Sequence, residues 1–240
     1  MVLARTTGDT PGTGRPPGQV PGSGHAKVAQ PMLHGAVAFA ALAAVTAYAG
    51  NGRLRHFDQA AIRALEVRRR RPAAVRAAHM VSALAEPAFA AAVLTAFAAV
   101  VARRAGWRAA CLPCLAVAAG TVARRRPSHL IARPRPPATL WLTEPEGFSL
   151  PSKHTTLAAL TAGACAANAG ARGAPRLLIP LLAAAGVGTS RVFLGVHWPS
   201  EVLAGWLFAE GWLGLAESAI PALARGEGRP ADGGREPAIP

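Results

Sequence analysis

Three short polar segments interrupt an otherwise apolar chain, and each carries residue types that bind or transfer phosphate. They are "RRRPSHLIARPRPP" from residue 124, "LPSKHTT" from residue 150 and "SRVFLGVHWPSE" from residue 190. Guanidinium groups bind phosphate oxygens through paired hydrogen bonds, and histidine serves as a nucleophile or an acid–base group. The candidate site residues are Arg126, Arg133, Arg135, Ser152, Lys153, His154, Ser190, Arg191, His197 and Glu201. Brought together, they would make a site for phosphoryl transfer.

The spacing within these segments suggests individual roles. Glu201 stands four residues after His197, on the same helical face or within reach across a helix start at Pro199. A carboxylate there can accept the imidazole N–H, which fixes the tautomer and leaves the other ring nitrogen as a nucleophile. Ser152 is placed to cap a helix, and the free amides and positive end of that helix favour an anion.

Each segment also has an ordinary interpretation when it is taken alone. A Pro-Ser pair before an apolar run usually marks a helix start, and an arginine-proline string is usually a surface loop. A lone histidine at a membrane interface usually contacts headgroups. The joint inventory of two histidines, several cations and one carboxylate favours phosphoryl transfer without a metal.

The elements that must position these residues are apolar blocks. Hydrophobic residues make up 51% of the 240-residue chain and aromatic ones only 5%, and the blocks approach the roughly 17 to 25 residues that cross a bilayer. We therefore predict an all-α, polytopic membrane helical bundle with about six transmembrane helices. The expected spans are Met32–Ala49, Ala78–Val101, Trp107–Val122, His154–Ala171, Leu177–Val192 and Glu201–Leu223.

The regions outside the spans differ in composition. Residues 1–31 and 225–240 are rich in glycine and proline and lack apolar periodicity, which predicts disordered tails around a membrane domain at 32–224. The first span ends in "AYA" at Ala47–Ala49, so it is either an anchor, which we favour, or a cleaved signal. The segment after it, with Phe57 and Leu65, suits an interfacial helix that ends near Pro72.

The formal charge of +14 bears on the partners of the protein. The arginines lie in short loops between apolar blocks, and neither an aromatic stacking set nor zinc-finger spacing accompanies them. We therefore expect the bilayer and an anionic substrate as partners, and no nucleic acid. The oligomeric state is left open by the sequence.

Alternation of six spans makes a topological prediction. The loop after span three, the start of span four and the junction of spans five and six all fall on one face of the membrane. The three polar segments can therefore meet there.

The three segments, in this order, resemble the motifs of the type 2 phosphatidic acid phosphatase family, which is similar in its active site to vanadium-dependent haloperoxidases. Ser190, Arg191 and His197 match Ser-Arg-x5-His-x3-Asp, with Glu201 in place of the aspartate. Residues 151–154 match Pro-Ser-Gly-His, with lysine in place of the glycine.

The remaining motif of the family, Lys-x6-Arg-Pro, fits in two registers. If Arg135 is its arginine, Ser128 stands where the lysine is usual. If Arg133 is its arginine, Arg126 takes the lysine position. Both registers stay open, and Arg126 or Lys153 could supply the charge of the missing lysine.

The resemblance implies a mechanism that needs no metal or other cofactor. In it His197, oriented by Glu201, attacks phosphorus to form a phosphohistidine, and His154 protonates the leaving alkoxide and then activates water. The phosphate oxygens would be held by Arg135, Arg191, Lys153 and the Ser152 backbone amide. The only acid within the motifs is Glu201, and we expect no carboxylate cluster for magnesium.

A site at the membrane surface implies a lipid phosphate or pyrophosphate, prenyl or phosphatidyl, as substrate. The resemblance favours a plasma-membrane protein whose active site faces away from the cytoplasm, although the loop charges do not follow the positive-inside tendency. The main alternative is a weakened member of the fold that binds lipid phosphate or acts as a scaffold. A transporter is less favoured, because paired broken spans are lacking and midplane charges are few, with Glu86 beside Pro87 as an expected intramembrane acid.

Overall fold

The computed structural model describes residues 23–226, and its side chains from 29 to 219, as a helical bundle without strands in that range. A 3-10 turn at Ala138–Leu140 interrupts the long loop before α7. The helices are α1 (Ser23–Gly50), α2 (Arg55–Arg69), α3 (Pro72–Ala83), α4 (Pro87–Ala105), α5 (Trp107–Ala123), α6 (Arg125–Ile131), α7 (Lys153–Asn168), α8 (Ala174–Phe193) and α9 (Pro199–Gly226).

The prediction of an all-α membrane bundle is confirmed. Helices α1, α5, α7, α8 and α9 correspond to five of the expected spans. Within the described residues, three stretches are long and apolar enough to cross a bilayer on length and composition alone. They are Ala29–Gly50, Pro87–Ala105 and Ala174–Phe193.

The second expected span, Ala78–Val101, is wrong as a continuous helix. Helix α3 ends at Ala83, and α4 begins at Pro87 after an extended Glu86 with φ −71° and ψ 144°. Proline lacks the N–H of a helix interior, disfavours helical backbone before it and is well suited to the first helical position. Glu86 therefore lies at a helix start and not inside a span.

Helix α1 packs closely on α9. A methyl group on Gly35 would lie 3.0 Å from the carbonyl oxygen of Gly211 and 3.3 Å from Cα of Gly214. Small residues at such positions let membrane helices approach each other. This packing favours the anchor interpretation of the first span, and α1 begins inside the expected N-terminal tail. Residues 1–22 and 227–240 of the two expected tails lie outside the described residues.

Helix α7 forms the centre of the bundle, since 11 of its 16 residues are buried. Its apolar side chains pack in one cluster with those of α4, α5, α8 and α9. The start of α7, the end of α8 and the start of α9 lie at one end of this bundle. The long loop between α6 and α7 covers that end, and its Leu142 amide donates to the carbonyl of Leu194, 2.9 Å away.

Candidate active site

The three polar segments meet at a small polar cavity of about 90 Å³ at this end of the bundle. A cavity of this size holds a few water molecules and has room for a phosphoryl group. Five of the sequence-predicted site residues line it: Arg135, Lys153, His154, Arg191 and His197. The other lining residues are Glu86, Thr143, Glu144 and Glu146.

His197 lies in the turn between α8 and α9 and is 1% exposed. Its Nδ1 lies 2.9 Å from Oε2 of Glu201, and the same oxygen accepts the backbone N–H of Trp198 at 3.1 Å. Because a carboxylate can only accept, Nδ1 carries the proton and Nε2 keeps its lone pair. Nε2 lies 3.3 Å from Nη1 of Arg135, a donor on the cavity side. The ring is therefore held in the tautomer that a nucleophile needs.

The surroundings of His197 keep its ring neutral. Burial lowers the pKa of His197 well below its ordinary value, and the positive charges of Arg135, Arg191 and Arg124 lower it further. A neutral ring has a free lone pair at physiological pH.

His154, in the first turn of α7, forms a second histidine–carboxylate pair. Its Nε2 lies 3.0 Å from Oε1 of Glu86. The sequence placed Glu86 inside a span, so this partner was missed. The Glu-Pro pair at residues 86–87 is the signal that could have found it, since proline at a helix start puts the preceding residue at the bundle end.

Arg135 and Arg191 bring positive charge to the cavity without a carboxylate partner among the described residues. Arg135 donates to the carbonyl oxygens of Val196 at 2.7 Å and of Glu146 at 2.7 Å. Arg191 is 5% exposed and donates to Oγ of Ser82 at 2.9 Å, while its buried Nε has no hydrogen-bond partner in the described part of the chain. Burial lowers the pKa of Arg135. A buried and a half-buried guanidinium group without a carboxylate partner favour an anion between them.

Lys153 stands at the rim of the cavity. Its Nζ lies 3.1 Å from Oε2 of Glu146, a residue of the covering loop. Hydrogen bonding to Lys153 lowers the pKa of Glu146. Because the Glu146 side chain is 83% exposed, this ion pair is a weak link that an entering phosphate could replace.

Ser152 and Ser190 are buried outside the cavity. Ser152 occupies the N-cap position of α7, as expected, but it makes no side-chain capping bond. Its backbone N–H donates to the carbonyl of Glu201 at 3.1 Å, so this amide is not free for phosphate. The hydroxyl of Ser190 donates to the carbonyl of Val187 at 2.6 Å within α8. Both serines support the helix ends that carry the reactive groups.

Arg133 and Arg126 do not reach the cavity. Arg133 points behind Glu201, with its guanidinium 2.9 Å from Asp58 and 3.4 Å from Glu201. Arg126 is exposed on α6. Because Arg135 lines the cavity and Arg133 does not, the geometry favours the register that pairs Ser128 with Arg135.

Arg124 is a cation near the site that sequence reasoning missed. It is 8% exposed, and its Nη1 donates to the carbonyl of Pro151 at 2.9 Å. Ser128, four residues later, is also buried, and its N–H donates to the carbonyl of Arg124. Residues four apart share a helical face, so Arg124 and the position of the missing lysine face the same way. That spacing was the available signal.

Comparisons with known proteins agree with this geometry. The model of the PAP2 superfamily matches residues 89–223. The fold is similar to the crystal structure of a transmembrane PAP2-type phosphatidylglycerolphosphate phosphatase from Bacillus subtilis, with a TM-score of 0.69 and 20% sequence identity. The likeness covers 80% of this chain and 98% of the other. No curated protein matches the chain significantly.

Proposed function

The chain belongs to the PAP2 superfamily, and on that premise we propose that it is an integral membrane phosphatase that hydrolyses a lipid phosphate or pyrophosphate through a phosphohistidine. One observation carries the proposal. Two histidine–carboxylate pairs, His197–Glu201 and His154–Glu86, border one cavity together with the uncompensated Arg135 and Arg191. This arrangement supplies a nucleophile, an acid and a cradle for phosphate oxygens.

The first chemical step is a transfer of the phosphoryl group to His197. The lone pair of Nε2 forms a bond to phosphorus, and the bond between phosphorus and the leaving oxygen breaks with its electrons on that oxygen. His154, held by Glu86, donates a proton to this oxygen. Arg135 and Arg191 stabilise the charge on the non-bridging oxygens as the transition state forms.

The second step returns the enzyme to its starting state. Water attacks phosphorus as His154 takes one of its protons, and the P–N bond breaks with its electrons on Nε2. Glu201 stabilises the positive charge that the phosphorylated ring carries between the two steps. All proton transfers use groups of this chain, and the proposal requires no metal.

An apolar groove supports a lipid as the substrate. Helices α4, α7 and α8 line a cavity of about 540 Å³ with side chains such as Phe89, Ala162 and Ile179. Each of these helices also carries a cavity residue at its site end: Glu86 before α4, His154 in α7 and Arg191 in α8. A phosphate in the polar cavity can therefore leave its hydrocarbon tail in the groove.

Phosphate release from purified protein in detergent tests the proposal. We expect release in the presence of EDTA from at least one of phosphatidylglycerol phosphate, phosphatidic acid and a prenyl pyrophosphate. His197→Ala and His154→Ala should abolish turnover, while His79→Ala, at an exposed position on α3, should not. Activity that survives His197→Ala would refute the phosphohistidine. Lipid binding without release on any substrate would favour a binding or scaffold protein.

Filling the groove tests the lipid tail separately. A Cβ atom added at Gly186 would meet nothing within 4 Å, and this residue lines the groove. We expect Gly186→Leu to raise KM for long-chain substrates but not for p-nitrophenyl phosphate, with Gly186→Ala as the control. An equal effect on both substrates would contradict the assignment of the groove.

The orientation of the site is part of the same proposal. We place the cavity on the face of the plasma membrane away from the cytoplasm, where family resemblance puts it. The test is a membrane-impermeant maleimide applied to intact cells that carry Glu144→Cys, because Glu144 lines the cavity. The three native cysteines are first replaced by alanine, and this cysteine-free chain is the control. Labelling of intact cells supports the outward orientation, and labelling only after lysis contradicts it.

A further inference from the structure

Asp58 is a buried carboxylate on α2, a helix outside the three polar segments. It is 1% exposed. Its oxygens accept three hydrogen bonds, from the backbone N–H of Ser200 at 2.9 Å, the Ser200 hydroxyl at 2.7 Å and Nη2 of Arg133 at 2.9 Å. A buried charge is costly unless it is paired and hydrogen-bonded, and this one has both kinds of partner. Asp58 therefore fixes Arg133 and the first turn of α9 at once.

Arg133 connects Asp58 to the carboxylate that orients the nucleophile. Its Nη1 donates to Oγ of Ser200 at 2.7 Å and lies 3.4 Å from Oε1 of Glu201. One guanidinium thus stands between two buried carboxylates. Oε1 of Glu201 has no hydrogen-bond partner among the described residues, and the positive charge of Arg133 lies beside this oxygen.

The geometry points to Asp58 and Arg133 as positioning residues that favour the ionised form of Glu201 and direct it at His197. Without the nearby guanidinium, a carboxylate as buried as Glu201 would be protonated more readily. A protonated Glu201 would be a weaker acceptor for Nδ1–H and would no longer stabilise a charged ring. The inference rests on the proposed function for its kinetic consequence, but its structural consequence concerns the free protein.

The two arginines of the "RPR" segment therefore do different work. Arg135 faces the cavity, 3.3 Å from Nε2 of His197. Arg133 lies beside Glu201, whose other carboxylate oxygen meets Nδ1 of the same ring. One arginine meets the substrate, and the other maintains the group that orients the nucleophile. Asp58 extends this support to α2, the helix that follows the first membrane helix.

Kinetics of the full-length enzyme test the inference first. Asp58→Asn and Arg133→Met should lower kcat by up to about 100-fold with little change in KM, the size expected when a reacting group is misplaced by an ångström. Glu66→Gln, an exposed carboxylate on the same helix, is the matched control. In a Glu201→Gln enzyme, the further change Asp58→Asn should lower kcat hardly at all, because both substitutions act through the carboxylate of Glu201. Independent, multiplying losses would overturn the inference.

Nitrogen-15 NMR of histidine-labelled protein in micelles gives a readout that needs no turnover. His197 signals are assigned by their loss in His197→Asn. We expect the wild type and Glu66→Gln to show the Nδ1–H tautomer, and Asp58→Asn and Arg133→Met to show a tautomer mixture. An unchanged His197 tautomer in both variants would overturn the positioning role. Failure of all lipids to react would refute the proposed function while leaving this measurement decisive for the pair.

Discussion

Replacing Glu201 with glutamine tests the orientation of His197, the proposed nucleophile, most directly. The side chain is fully buried, and its two oxygens face different partners. Oε2 accepts from His197 and Trp198, while Oε1 faces Nη1 of Arg133 at 3.4 Å. Glutamine has nearly the same shape, but one of its two ends is a donor and it carries no charge.

Both orientations of the new amide are unfavourable. With its oxygen toward His197, its NH2 group opposes the guanidinium of Arg133. With its NH2 toward His197, the ring must accept at Nδ1, so the proton moves to Nε2 and the nucleophilic lone pair is lost. Either way the His197 ring loses its charge-assisted hydrogen bond, worth about 1.5 to 3 kcal/mol, or about 10- to 150-fold in kcat.

The assay is metal-independent phosphate release from the preferred lipid, measured as kcat and KM for wild type, Glu201→Gln and Glu201→Asp. Aspartate keeps the charge and should lose less than glutamine. Melting curves in detergent show whether each variant is folded. A Glu201→Gln enzyme with the kcat of the wild type would refute the role of this carboxylate in catalysis.

Three further predictions concern other groups of the site. Glu86→Gln should slow the hydrolysis of alkyl phosphates more than that of p-nitrophenyl phosphate, because the leaving oxygen of p-nitrophenyl phosphate needs no proton from His154. An equal loss of rate on both substrates would contradict the role of His154 as the acid. Arg124→Met should lower kcat/KM, measured from initial rates, about tenfold. Adding Ser128→Lys on the same helical face to this variant should restore kcat/KM. A double variant that stays as slow as Arg124→Met would contradict the idea that either position can supply the positive charge. The pKa of His197 is lower in the folded protein than in the unfolded chain, where it is about 6.5. Between these two pKa values the unfolded chain binds more protons than the folded protein does. Lowering the pH through this range should therefore reduce the free energy of unfolding of the wild type by at most about 1.4 kcal/mol per pH unit. On acidification the melting temperature should therefore fall less for His197→Asn than for the wild type. An equal fall in both proteins would contradict a lowered pKa of His197.

The sequence was sufficient to predict which segments meet. Apolar blocks indicate where the long helices lie, and alternation of their direction predicts which loops share a face. His197 and Glu201 are also readable, since four residues across a helix start bring two side chains within hydrogen-bond distance. These features depend on local periodicity, which a single sequence contains.

The sequence could not give the partners contributed by other helices. Asp58 and Glu86 are far from the motifs in the chain, and only tertiary packing brings them to Arg133 and His154. Spacing also leaves the direction of an arginine open, so Arg133 was assigned to phosphate although it faces two carboxylates. Hydropathy does not reveal the break before Pro87, because apolar residues continue across it while the helix does not.

The same contacts explain how glutamate serves where the family motif has aspartate. A longer carboxylate has more rotamer freedom and would orient a histidine less well if only one oxygen were held. In this chain Oε2 is held by His197 and Trp198, and Oε1 is opposed by Arg133, which Asp58 fixes in turn. The extra methylene is therefore constrained at both oxygens. Consequently Asp58→Asn should lower kcat more in the wild type than in a Glu201→Asp enzyme, because the shorter aspartate side chain would lie farther from Arg133.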